Sequence, residues 1–123
     1  MTDALRDFLA AGVRDGENCG LFVARWLRES GASDLADRLD LATVRAVERD
    51  GGALAFASDV FAREGFAATA APRPGDPVCV SADGGETLAI LVNDRWRATV
   101  ADGGRVGLGR WPLLRAWRKR EVA

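Results

Sequence analysis

Residues 16–31 read GENCGLFVARWLRESG, and Cys19 is the side chain best suited to nucleophilic chemistry. Asn18 is a good helix N-cap, so Cys19 falls in the first turn of the helix that follows. There the open backbone N–H groups and the helix macrodipole favour a thiolate. The same N–H groups can hold an oxyanion. A thiol so placed suits acyl transfer. The competing reading is packing. Cys19, Phe22, Val23, Trp26 and Leu27 recur at helical spacing and form one apolar stripe, with Arg25, Arg28 and Glu29 on the opposite face. A reduced cysteine packs like a small hydrophobe, and Cys19 opens that stripe.

Composition favours packing. The chain of 123 residues contains no histidine and no tyrosine. The usual general base for a cysteine or serine nucleophile is therefore missing. Glu86 and Asp76 remain as carboxylate bases, but a carboxylate beside a thiol raises its pKa and opposes activation. Two cysteines without histidine make a poor zinc site, and the aspartates are scattered as caps and turn residues. No metal or other cofactor is expected. Cys79, between Val78 and Val80, reads as packing that points away from both valines. One disulfide is possible, without any disulfide framework.

The elements that must position Cys19 fall into two halves of one domain, residues 1–118, with 119–123 as a frayed tail. Residues 2–65 read helical. Thr2 caps a first helix ending near Gly12, and Gly31 stops the Cys19 helix. Ser33 or Asp34 opens a brief helix through Leu39. Asp40 caps the next, with Leu41, Val44 and Val47 inward and Gly51-Gly52 ending it. A helix over 53–64 buries Leu54, Phe56, Val60 and Phe61 and stops at Gly65. Residues 66–118 read as strands and turns. PRPGD (72–76) is a turn, PVCVSA (77–82) a strand, DGGE (83–86) a hairpin turn. TLAILV (87–92) is continuously apolar, as in a central strand. RWRATV (95–100), RVGLGRW (105–111) and, after Pro112, LLRAWR (113–118) follow. The pattern predicts an α+β domain, N-terminal helices packed on a C-terminal antiparallel meander or small barrel.

This order resembles the NlpC-type, papain-like cell-wall peptidases, small cysteine hydrolases that cut peptidoglycan stem peptides. Asn18-Cys19-Gly20-Leu21-Phe22 stands where that family has its nucleophile motif, and Pro74-Gly75-Asp76 matches the turn into its first strand. The resemblance covers roughly residues 14–118. It implies that Thr87, in the run Thr87–Leu91, holds the position of the missing histidine, and Thr99 that of the third polar residue. The closest likeness is to a His-less branch found in tailed phages, prophages and gene transfer agents, which shares a terminal Ala-Trp-Arg, here Ala116-Trp117-Arg118. The resemblance implies a catalytically degenerate domain serving as a structural or adaptor piece of a phage-type tail tip or baseplate. Tail hub or distal tail proteins would be its partners and the virion tail its destination. The alternative is a divergent peptidase or amidase acting through Cys19. A third reading is a module that grips cell-wall peptide without cutting it.

Trp96, Trp111, Trp117 and Arg118 are candidates for an interface, since Trp and Arg are enriched at binding hot spots; strand-edge packing is the plainer reading. The net charge of -1 argues against a nucleic-acid partner. DGGE and ADGG precede strands, so neither is a phosphate loop. No window approaches the ~18 apolar residues of a membrane span. The N-terminus has acids early and no basic-then-apolar signal layout, which predicts cytoplasmic synthesis without an export signal.

Overall fold

A computed structural model describes residues 2–39, 41–50 and 52–120. Helix α1 spans Asp3–Ala11, and the Thr2 hydroxyl accepts from the Leu5 N–H at 3.2 Å. Helix α2 spans Cys19–Glu29, and Asn18 caps it by accepting from the Leu21 N–H at 3.0 Å. The segment after Gly31 forms only one 3-10 turn, Leu35–Asp37, shorter than the helix expected there. Ser33 opens it by accepting from the Leu35 N–H. Helices α3, Leu41–Asp50, and α4, Ala53–Arg63, follow. The Asp40 cap lies outside the described residues, as does the Leu41 side chain. Val44 is buried and Val47 half-buried. In α4 the buried positions are Ala53, Ala57, Val60 and Phe61, while Leu54 and Phe56 are half-buried. The small alanines let the helix sit close to the sheet and turn the larger pair toward its rim.

Six strands form an antiparallel sheet: β1 Phe66–Ala68, β2 Pro77–Ala82, β3 Gly85–Leu91, β4 Arg97–Ala101, β5 Arg105–Gly109 and β6 Leu113–Lys119. Their order is β1-β6-β2-β3-β4-β5. Strands β2 to β5 are the expected meander, but β6 returns across it to lie between β1 and β2. Strand β1 is too short for a periodicity to reveal. Strands β1 and β5 are the two edges, so the pairings do not close a barrel. The tail begins later than expected. Lys119 pairs with Phe66 in the ladder, and the Arg120 N–H bonds the Gly65 carbonyl.

Both faces of the central strands are covered, which is why TLAILV does not alternate. Cys79, Leu88 and Ile90 face the helices, in one core with Phe22, Val23, Trp26, Leu27, Phe61 and Trp117. Val78, Val80, Ala89, Leu91 and Ala116 form a second cluster on the other face, so Cys79 points away from its flanking valines as expected. Helix α2 is fixed to the turn before β2 by Trp26, whose Nε1–H donates to the Gly75 carbonyl at 2.7 Å. Gly75 has φ +94°, and a Cβ there would lie 3.3 Å from the Trp26 ring. The glycine of PRPGD is thus required for both the turn and the approach.

Arg25 is the main correction to the helical reading. It is 8% exposed, although its spacing puts it opposite the apolar stripe. Its Nε donates to Glu17 at 2.8 Å, Nη2 donates to Glu17 and to the Gly12 carbonyl, and the guanidinium lies 4.4 Å from the Phe8 ring centroid. The loop joining α1 to α2 folds over that face, which periodicity within one helix cannot register. Removing one partner of a buried ion pair leaves the other charge without compensation. Arg25→Ala should therefore lose about 3–5 kcal/mol of unfolding free energy, read from urea denaturation. A loss below about 1 kcal/mol, the range of surface pairs, would mean that the pair is in contact with water.

Candidate functional site

The first turn of α2 is held against the sheet by the stripe that Cys19 opens. Gly20 keeps that turn narrow: a Cβ there would meet Val44 Cγ1 at 2.8 Å, so only glycine lets α3 close beside Cys19. This role of the residue after the cysteine has no sequence signal of its own. An open groove of about 510 Å³ runs over the same turn, lined by Asn18, Cys19, Arg45, Glu86, Thr87 and Asp102 among others. Its volume is that of an ordinary small-ligand cleft. Beneath it an apolar pocket of about 40 Å³ reaches between α2, α3, α4 and β3, well short of the ~150 Å³ that admits a benzene ring.

Register decides which strand residues face the helices. On β3, Thr87 pairs with Val80 and Glu86 with Ser81, while Cys79 pairs with Leu88. Side chains alternate across a strand, so Thr87 shares the row of Val80 and Ala89, turned away from α2. Glu86 shares the row of Leu88 and Ile90, facing the helices. Glu86, one residue before the Thr87 that motif order indicates, is therefore the residue of this stretch on the helix-facing row, and both Glu86 and Thr87 line the groove with Cys19. A shift of one residue reverses the face, and a sequence without an alternating pattern gives no means of detecting it.

Thr99 is also removed from the site. It is buried, and its hydroxyl donates to the Leu88 carbonyl at 2.7 Å, bridging β3 and β4 beyond their paired residues, Ile90↔Ala98 and Leu91↔Arg97.

Glu86 is itself engaged. Its Oε1 accepts from the Leu54 N–H at 3.1 Å, in the first turn of α4, where the N-cap residue Gly52 supplies no side-chain bond. The carboxylate thus caps a helix from another element, where a negative charge is favoured. Asp76, the other carboxylate considered as a base, accepts from Arg118 and from the Arg73 N–H and does not line the groove. Glu17 lines it but is bound to Arg25. No group of three or more potential metal ligands occurs among the described residues.

Of the interface candidates, Trp96 alone is well exposed, at 40%. Trp117 is buried, its ring centroid 4.9 Å from that of Phe61, so it belongs to the core. Trp111 is half-buried against the second cluster; its ring lies over Gly109, where a Cβ would come within 2.4 Å. Arg118 is a strut of the turn before β2, donating to Asp76 at 3.0 Å and to the Ala71 carbonyl at 2.6 Å. Among the described residues no helix is long and apolar enough to cross a membrane.

Compared with models of protein families, with curated proteins and with solved structures, the chain finds no match.

Both cysteines are thiols. Burial pushes the Cys79 thiol up to about 11, and the charges of Glu86 and then Cys19 add to the shift. Cys79 is therefore inert near neutrality, and iodoacetamide should modify Cys19 well before Cys79 in the folded chain. The buried neutral thiol also makes stability pH-dependent. Its folded pKa lies above the ordinary 9.0, so the unfolded thiol loses its proton first as pH rises. Its contribution is complete below about pH 9 and is lost toward pH 11, at about 1.4 kcal/mol per unit. The unfolding free energy of wild type should fall relative to Cys79→Ala across that window; parallel curves would show that Cys79 is in contact with water.

Proposed function

We propose that the chain is a catalytically silent, papain-like domain of the NlpC type, serving as a structural or adaptor piece of a phage-type tail tip or baseplate. The observation that carries the silent-cleft reading is that Cys19 and Glu86 line the same groove. The thiol opens a helix on the sheet side of a groove, in the manner of a papain-like nucleophile. The helix-facing strand residue in that groove is a carboxylate already bonded to the α4 N-terminus, in a chain without histidine. A carboxylate there opposes thiolate formation, and no described residue lining the groove offers an imidazole to protonate a leaving amine. In a nucleophile–base pair, loss of one member removes most of the rate. The tail assignment is supported by the sequence motifs Asn18–Phe22, Pro74–Asp76 and Ala116–Arg118.

Two measurements test the proposal. Purified peptidoglycan digested with wild type and with Cys19→Ala should release no peptides in either case, while an active cell-wall peptidase in parallel does. Release by wild type alone would overturn the silent-cleft reading and make Cys19 a nucleophile. Glu86→His should place an imidazole beside Cys19 and raise its alkylation rate near pH 6.5 by about tenfold, as a neighbouring imidazolium stabilises a thiolate. An unchanged rate in a folded variant would show that the side chain at position 86 does not reach Cys19. For the adaptor role, stoichiometric copurification with tail hub proteins is expected, and a monomer that ignores them would count against it.

A further inference from the structure

Strand β5 is one edge of the sheet, and the side of its backbone away from β4 pairs with no strand among the described residues. Natural edge strands are blunted by shortness, proline, bulges or inward charges. The opposite edge, β1, has three residues. β5 has five, no proline, and a regular ladder to β4 from Arg97↔Gly109 to Ala101↔Arg105. Two large apolar side chains stand by this edge: Leu108, 56% exposed, and Trp96, 40% exposed. The Arg110 guanidinium lies 6.0 Å from the Trp96 ring centroid, which puts the tryptophan at the end of β5.

The charge around this edge is predominantly positive. Residues 95–110 contain Arg95, Arg97, Arg105 and Arg110 against Asp102 alone. None of the four arginines has an ion pair among the described residues. Arg97, opposite Gly109 in the ladder, is 8% exposed; it donates to the Asn93 and Asp94 carbonyls, and its Nε makes no hydrogen bond. A positive charge that no carboxylate of the described fold balances thus lies beneath the edge.

We propose that the β5 edge accepts an extended acidic segment of a partner chain as an added strand. Apolar side chains of the segment would meet Leu108 and Trp96, and its carboxylates Arg105 and Arg110. An added strand matches the alternating N–H and C=O groups of the edge, whereas a nucleic-acid phosphate can only accept. A second copy fits poorly. Antiparallel β5–β5 pairing brings Arg105 and Arg110 of both chains to one seam with no carboxylate on either strand to offset them, and like charges in proximity repel. None of Trp96, Arg105, Leu108 and Arg110 lines the Cys19 groove, so the proposal stands apart from the silent-cleft reading.

A displayed library of random twelve-residue peptides, panned on wild type and on the double variant Arg105→Glu/Arg110→Glu, tests it. Leu108 and Arg110 share one face of β5 and Arg105 lies on the other, so the enriched peptides should carry Asp or Glu on either side of an apolar residue. They should bind the double variant about tenfold or more weakly, the effect of two ion pairs at the upper end of surface values, and slow amide exchange across residues 105–109. An unchanged unfolding midpoint checks that the variant is folded. The proposal is overturned if no peptides are enriched, if they are not acidic, or if they bind both proteins equally. Dimerisation of wild type through β5, or binding of oligothymidine there in place of peptides, overturns it equally.

Discussion

The fold depends on how closely helix α2 lies on the sheet, and the contact of Trp26 with Gly75 sets that distance. The indole buries its ring in the core while its N–H donates to the carbonyl of a turn residue forty-nine positions away in the chain. A tryptophan can be buried deeply only when its N–H has a partner, and the turn can come so close only because Gly75 has no Cβ. Arg118 ties the same turn to β6 through Asp76 and Ala71. One short turn therefore joins the helix, the first strand of the meander and the last strand. With α2 fixed there, Cys19 at its other end is fixed too.

That placement sets Cys19 at a helix start beside a groove, in a chain without histidine. Its helix start faces a groove of useful size, and the facing strand offers a carboxylate already committed to α4. Glu86 meets two needs at once: it satisfies a helix N-terminus that Gly52 leaves uncapped, and its charge adds to the burial that keeps the Cys79 thiol neutral. A residue tied into the fold in this way is poorly placed to exchange protons with a substrate.

The outer surface of the sheet has a different logic. Arginines in the strand half serve three ends. Arg118 is a strut, Arg97 is buried among carbonyls, and Arg105 and Arg110 frame an unpaired edge. Overall charge conceals this, because acids elsewhere in the chain balance them to a net of -1. Association responds to the local field as well as to the total, so a nearly neutral protein can still present a basic edge.

Much of this was legible in the residues alone. Thr2, Asn18, Gly31 and Gly65 mark helix ends because capping chemistry is local. The apolar stripe of α2 follows from helical period. The turns at 72–76 and 102–104 follow from glycine, proline and aspartate, the turn expected over 83–86 narrows to Asp83-Gly84 because β3 already begins at Gly85, and the lack of an imidazole is a matter of composition. What the sequence could not decide depends on elements distant in the chain. Arg25 is buried because another segment folds over it. Trp117 is core because β6 inserts between β1 and β2. Glu86, not Thr87, lies on the helix-facing row because pairing register fixes the face, and a strand covered on both sides carries no alternation to reveal it. Periodicity records one element's own geometry; which face meets which neighbour is settled only when the chain packs.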